Sequence, residues 1–539
     1  MLKGKVYALP LAARLARCIL AVGVLAVAVL AVEGLPVEGL ELGRLARAQS
    51  PDAAAAVPAR DSSNHVSAAP RADAARGRVV EALQSLTDWV RGRGGTLSAR
   101  VVDSESGFVW AESSPESALN PASNMKIVTT AVALERLGAE FRFSTGLYGK
   151  QEADRVGTLV LRGQGDPSLD TADLWELARA LRSLGVTKVG QLLVDQSRFD
   201  EQFVPPAFDQ QPDEWASFRA PVSAVALERN AVTLNVLPSE PGQPARAWFE
   251  PAGIVTIEGT VETRRTGAGE GVQLSLETRG ADLIAHLAGY AAKGLPRMRF
   301  DRRLDDPRRA PGLALRELLI GVGIEVQGPV ALGGNQIEPR LAFHQSAPLA
   351  QLLSELGKNS DNFYAEMLFK ALGADATSNP ARSQDGAAVV RQWLSQRGLA
   401  RPDTRIENGS GLFDANRVSA ATLAGTLLAV RQNPAVYPEF LAQLAIGGVD
   451  GTLHSRFRKF KDQRIVRAKT GTLSAAVGLS GYVLSASSSA PIVFSVLVNG
   501  LEGQAGAVRE RIDRVVETIA DSRRPNAAAP NAAAPSAAR

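Results

Sequence analysis

Three short stretches hold side chains whose types and spacing can do chemistry. Ser123 and Lys126 lie in NPASNMKIVTT (120–130), Ser360, Asp361 and Asn362 in KNSDN (358–362), and Lys469, Thr470, Gly471 and Thr472 in AKTGT (468–472). A serine hydroxyl is a poor nucleophile until a base takes its proton. An amine one helical turn further on shares the serine's face, and burial or a neighbouring cation favours its neutral, proton-accepting form. Lys469 brings such a second charge and can also bind a substrate carboxylate. Ser360 can relay a proton to a leaving amine, and the amide of Asn362 has both a donor and an acceptor with which to orient a substrate amide. Backbone N–H groups of Ser123 and Thr472 would form an oxyanion hole.

Taken singly, each stretch has an ordinary alternative: a polar helix start, a helix-to-loop junction, a strand end with a turn glycine. Taken together and in this order they resemble the signature of serine β-lactamases and penicillin-binding proteins. Lysine usage agrees. The chain has 60 Lys and Arg residues, of which 11 are lysine, and Lys126, Lys358 and Lys469 sit in or beside these stretches. A guanidinium could not give up its proton there.

Further motifs narrow the resemblance. GQGDPSL (163–169), GGVDGTL (447–453) and VRAKTGTLSAAVGLSGYV (466–483) make the chain similar to class C low-molecular-mass penicillin-binding proteins. These are the D-alanyl-D-alanine carboxypeptidases/endopeptidases of peptidase family S13. The resemblance implies action on peptidoglycan stem peptides and cross-links through a serine acyl-enzyme, inhibition by β-lactams, and no cofactor or metal. The family's DGSGLS stands here as NGSGLF (408–413), read as a turn. The 237 residues from Ser123 to Ser360, against 109 from Ser360 to Lys469, match an insertion between the first two motifs.

Other hydrolase classes fit less well. A class A β-lactamase needs a deacylating Glu in an E-x-x-L-N stretch between the second and third motifs. ESALN (116–120) precedes the nucleophile, while Glu407 and Glu439 in the proper interval lack the pattern. A Ser-His-Asp hydrolase would want G-x-S-x-G, and the four histidines (His65, His286, His344, His454) are scattered. H-E-x-x-H is absent, so a zinc carboxypeptidase is not indicated. A non-catalytic wall- or β-lactam-binding protein stays as the alternative from another class. Asp166, Asp450 and Ser410 read as turn residues, and Lys358 as either a solvated helix end or a charge lent to the site.

Composition is that of a globular protein, with 45% hydrophobic and 22% charged residues. The basic residues Lys3, Lys5, Arg14 and Arg17 precede a 15-residue apolar run, Cys18 to Val32. That run is short for a membrane span of about 20 residues but suits a signal peptide, and ARAQ (46–49) offers a cleavage site after Ala48. Residues 1–48 carry most of the net charge of +4, so the basic pI does not argue for nucleic acid. The chain is expected to be exported, to the periplasm or the outer face of the cytoplasmic membrane, with membrane contact only through this segment if it is uncleaved. The single cysteine, Cys18, lies within it, which leaves no disulfide and no thiol nucleophile beyond.

The expected fold is α+β: a transpeptidase-like domain of antiparallel sheet flanked by helices, interrupted by a β-rich insertion. The expected order is a flexible lead (49–75), the penicillin-binding domain in two segments (76–144 and 343–522), the insertion (145–342, as two nested domains) and a Pro/Ala tail (523–539). Short β runs fill the insertion, with helical readings at ADLIAHLAGYAA (281–292) and ALRELLIGVGI (314–324). Asn120 is expected to cap the Ser123 helix, with Pro121 near its first turn.

Overall fold

A computed structural model describes residues 69–523 except 212–213, 281, 335–337, 378–379 and 486–489. The expected signal segment and nearly all of the Pro/Ala tail lie outside the described residues. A six-stranded antiparallel sheet organises the site. Its strands run in the order Ala445–Ile446, Val466–Thr472, Ala476–Val483, Ile492–Asn499, Thr96–Asp103, Val109–Ser113. Strand Ile492–Asn499 shows why the sheet holds a helical layer on each face. Phe494, Val496 and Val498 join one core with the terminal helices, while Val493 and Leu497 join the other. Alternate side chains of a strand point to opposite faces, so a strand with apolar residues on both faces is covered twice.

The terminal helices Ala69–Arg91 and Ala505–Asp521 pack together on the first face. Val508, Ile512, Val515, Val516 and Ile519 form the stripe read from the sequence, and all are buried. Each contributes roughly 1.5–3 kcal/mol of burial. The first helix begins at Ala69, inside the stretch expected to be a flexible lead. On the opposite face lie helices Met125–Leu137, Leu349–Gly357, Asn362–Ala376, Ser383–Gln396 and Ala420–Gln432.

Between Ser144 and Gln345 the chain forms three further sheets. Strands Ser144–Tyr148, Arg155–Gly163, Lys188–Asp195 and Arg340–Gln345 belong to a seven-stranded mixed sheet. The expected boundaries at 145 and 342 therefore pass through its first and last strands. Arg155–Gly163 and Lys188–Asp195 are parallel, joined by helix Thr171–Ser183, which the sequence reading does not pick out. The other two sheets, of three and four strands, fall within residues 231–303.

One helical expectation is overturned. Residues Asp282–Ala292 form a strand, paired along one edge to Glu270–Arg279 and along the other to Val255–Gly259 and Glu262–Arg264. Its apolar run fits either period, and the pairing available on both edges decides for strand. GIVTIEGTVET, read as one run, breaks into two strands at Gly259, where φ is +86° and a Cβ would lie 2.2 Å from the carbonyl oxygen of Leu287.

Candidate active site

The three motif stretches, far apart in sequence, meet at one edge of the six-stranded sheet. Ser123 lies in a 3-10 turn, Ala122–Asn124, that runs straight into helix Met125–Leu137. Asn120 is not the cap of that helix. Its Oδ1 accepts from Ala122 N (2.9 Å) and its Nδ2 donates to the Phe413 carbonyl (2.9 Å), one turn earlier than expected. Asn499 fixes the same turn by accepting from Asn120 N (2.8 Å) and donating back to its carbonyl (3.1 Å).

A pair of glycines lets the turn approach the sheet. Gly471 and Gly478 are cross-strand partners, and a Cβ on either would come within 2.6 Å of Asn124 Nδ2. The glycine of the third motif is therefore a slot for the residue after Ser123, in addition to being part of a strand end.

Lys126 is fully buried and its Nζ has three neighbours. It donates to Asn362 Oδ1 (2.8 Å) and to the Ser410 carbonyl (2.8 Å), and lies 3.0 Å from Ser123 Oγ. A neutral amine has two N–H bonds and one lone pair. With two pure acceptors taking the hydrogens, the lone pair is left for the Ser123 hydroxyl. Burial lowers the lysine to about 7, against the opposing charges of Glu366 and Asp361. The cause is desolvation, and not the neighbouring cation that the sequence offers as its equal.

Lys469, buried on strand Val466–Thr472, donates to Ser360 Oγ (2.8 Å) and to the Thr470 carbonyl (2.9 Å). Burial first, and the Lys126 charge second, push its pKa well below the usual lysine value. A carboxylate bound against it would restore the ammonium form. Ser360 itself has φ of +60° and Ala122 φ of +46°. Both motif serines thus sit at or beside left-handed non-glycine backbone, which costs about 1–3 kcal/mol each and clusters at functional sites.

Asp361 caps helix Asn362–Ala376 by accepting from Tyr364 N (3.0 Å) and pairs with Arg229 (3.2 Å). Asn362 thus starts the helix, its Nδ2 donating to the Phe218 carbonyl (3.2 Å). Thr470 Oγ1 donates to Thr452 Oγ1 (2.9 Å), and Thr472 ends its strand exposed. Thr472, Phe218, Phe413 and Asn120 line a cleft of about 690 Å³. Lys358 is half-buried at the end of helix Leu349–Gly357. It pairs with Asp450 (2.7 Å), while its carbonyl accepts from Thr452 N (3.0 Å), which steadies the loop beside Thr470. Asp166 accepts from Ser168 N and Oγ within its own turn.

Sequence reading misses two groups. The carbonyl of Ser410, expected to serve a turn alone, is a direct partner of Lys126. Glu366 also lies between the second and third motifs, where only Glu407 and Glu439 drew notice. It is fully buried and accepts from Ser410 N (2.7 Å) and Gly409 N (3.2 Å). Its position four residues after Asn362, on the same helical face, is the available signal. Glu116 of ESALN is a surface residue paired with Arg100 (3.7 Å) and Arg401. Among the described residues no cluster of His, Cys, Asp and Glu could hold a metal.

A serine–lysine pair on a helix under an antiparallel sheet, with a Ser-x-Asn turn opposite and a Lys-Thr-Gly strand beside it, defines a penicillin-recognising serine hydrolase fold. The D-Ala-D-Ala carboxypeptidase 3 (S13) family model matches residues 82–521, and the chain belongs to that family. It is 30% identical to the D-alanyl-D-alanine carboxypeptidase of Actinomadura sp. (strain R39), over 85% of this chain and 88% of that one. It is 26% identical to the D-alanyl-D-alanine carboxypeptidase DacB of Haemophilus influenzae, over 70% of this chain and 80% of that one. The crystal structure of penicillin binding protein 4 (dacB) from Haemophilus influenzae shares the fold. It has a TM-score of 0.68 at 23% identity, covering 81% of this chain and 99% of that chain.

Proposed function

We propose that the chain is a serine D-alanyl-D-alanine carboxypeptidase, and by the same chemistry an endopeptidase on peptide cross-links, working through an acyl-enzyme on Ser123. One observation carries the reading: Lys126 Nζ lies 3.0 Å from Ser123 Oγ with its two other directions taken by acceptors. Lys126 takes the hydroxyl proton as Ser123 Oγ attacks the carbonyl carbon of the penultimate D-Ala. Negative charge then develops on the carbonyl oxygen, facing the backbone N–H groups of Ser123 and Thr472, where one such donor is worth roughly 2.7–4 kcal/mol. Collapse breaks the peptide bond, and Ser360, held by Lys469, passes a proton to the departing amine. Ser360 regains its proton from the one that Lys126 took, which leaves Lys126 neutral again. Water then attacks the ester as Lys126 takes its proton, and Lys126 returns that proton to Ser123 Oγ as the ester bond breaks.

In this reading Asn362 orients the substrate amide, and Lys469, Thr470 and Thr472 hold the terminal carboxylate. A β-lactam acylates Ser123 in the same way, and the adduct persists because no Glu stands in the pattern that deacylates class A β-lactamases. The substrate, peptidoglycan, lies outside the cytoplasm, and the enzyme acts there. Residues 1–48 are its proposed export segment, residues 69–143 and 346–522 its catalytic domain, and 144–345 an insertion of two nested domains. Among the described residues no helix is long and apolar enough to cross a membrane.

The test is D-alanine release from a pentapeptide ending in D-Ala-D-Ala, comparing the wild type with Ser123→Ala. Release by the wild type alone supports the reading. Absence of release by the wild type would favour a non-catalytic binding protein.

A further inference from the structure

Helix Asn362–Ala376 reaches Lys126 twice. Asn362 does so directly, at 2.8 Å. One turn later, Glu366 does so through the chain segment 409–410: its two carboxylate oxygens accept from the N–H groups of Gly409 (3.2 Å) and Ser410 (2.7 Å). The carbonyl of Ser410, thus oriented, accepts from Lys126 at 2.8 Å. The segment is gripped from the other side as well, since Thr129 Oγ1 donates to the Gly409 carbonyl (2.8 Å) from the helix that carries Lys126. Its close approach to the Ser123 turn demands glycine at 411, where φ is +76° and a Cβ would stand 1.9 Å from the Ala122 carbonyl oxygen.

We propose that Glu366 is a positioning residue for the acylation step: it aims the Ser410 carbonyl at Lys126 and places a buried negative charge behind that carbonyl. This rests on the assignment of Ser123 as nucleophile and Lys126 as base. A buried carboxylate is costly unless its oxygens are satisfied. Here both oxygens meet backbone donors of a segment that belongs to no helix or strand, an arrangement with more use than filling space.

The charges around the two groups are few. Lys126 feels Glu366 and Asp361, and Lys469 on the neighbouring strand in turn feels Lys126. Burial pushes the Glu366 carboxyl above the usual carboxylate range, against the hydrogen bonds from Ser410 and Gly409 and the Lys126 charge that favour its ionised form, and Glu366 acts in turn on Lys370 of its own helix. Removing the Glu366 charge therefore leaves Lys126 with less support for its ammonium form, and its proton departs at lower pH. A glutamine at 366 would also turn an NH2 group toward one of two backbone donors and displace the Ser410 carbonyl.

The experiment is the second-order rate of acylation by a fluorescent penicillin as a function of pH, for the wild type, Glu366→Gln, Glu366→Asp and Ser123→Ala, with thermal melts alongside. Glu366→Gln is expected to move the acid limb about one unit lower and to slow the plateau by about tenfold or more. Glu366→Asp, which keeps the charge but withdraws it by one methylene, should slow the plateau and leave the limb near its wild-type position. A folded Glu366→Gln whose limb and plateau superimpose on the wild type overturns the proposal. Should that variant not fold, a wild-type rate in Glu366→Asp overturns it as well. Failure of both to fold would assign Glu366 to the fold alone and overturn it too. Labelling of Ser123→Ala would instead refute the nucleophile assignment, whatever the Glu366 variants do.

Discussion

Asn362 Oδ1 and Lys126 Nζ are 2.8 Å apart, although 236 residues separate them in sequence. The amide oxygen takes one of the lysine's hydrogens and so helps turn the lone pair toward Ser123. Asn362→Asp would replace a neutral acceptor with a carboxylate and favour the ammonium form. Its acid limb of acylation is expected to move up by about one unit or more, opposite in direction to Glu366→Gln. Stopped-flow acylation from acid to alkaline pH reads the shift.

For the wild type, acylation should rise with pH through about 7, where Lys126 loses its proton. Lys126→Arg keeps a permanent charge and should lower the rate by about 10²–10⁴. The same residue links pH to stability. Its folded pKa is depressed from 10.5 to about 7, so the unfolded chain binds the extra proton between those values. Stability from this group is full above pH 10.5 and is lost as pH falls toward 7. Urea melts at neutral and at alkaline pH should show this increment as missing in Lys126→Met.

Asp200 ties the chain between the first two motifs to helix Asn362–Ala376. Lys370, fully buried on helix Asn362–Ala376, donates to the Asp200 carboxylate and to the Gln202 carbonyl (2.9 Å). Asp200→Ala leaves the ammonium buried without its counter-ion and should cost about 3–5 kcal/mol, measured by denaturant unfolding. An Asp200→Leu/Lys370→Met pair should recover much of that loss. A loss of under about 1 kcal/mol in Asp200→Ala would show that the pair is surface-like.

Gly471→Ala and Gly478→Ala test the slot for Asn124. Either methyl would stand within 2.6 Å of Asn124 Nδ2, and the one at 471 also 2.9 Å from the Pro121 carbonyl oxygen, so the Asn124 side chain, and at 471 the Ser123 turn, must give way. A stability loss of about 1–3 kcal/mol is expected, together with a fall in acylation rate larger than that loss explains. Wild-type acylation by a variant whose thermal melt shows it folded would contradict this.

The legibility of the sequence is uneven in ways that have physical causes. Ser123, Lys126, Ser360, Asn362 and Lys469 are readable because their chemistry demands fixed residue types at fixed local spacing. The sheet strands and the helix Ala505–Asp521 follow from clean periodicity. Glu366 and the Ser410 carbonyl are not legible, because each acts through backbone groups brought close only by the fold. Any residue has a carbonyl, so residue type gives no sign of that role. Strand Asp282–Ala292 reads wrongly as a helix since a short apolar run carries no unique period, and its pairing partners are set by tertiary structure. Lys358 has an open role in the sequence because its partner, Asp450, lies 92 residues away.

The most direct measurement is intact-protein and peptide mass spectrometry after exposure to benzylpenicillin. Acylation at Ser123 predicts one long-lived adduct, carried by the peptide that contains this serine and absent from Ser123→Ala. An unmodified wild-type protein, or an adduct that survives the Ser123→Ala substitution, would contradict it.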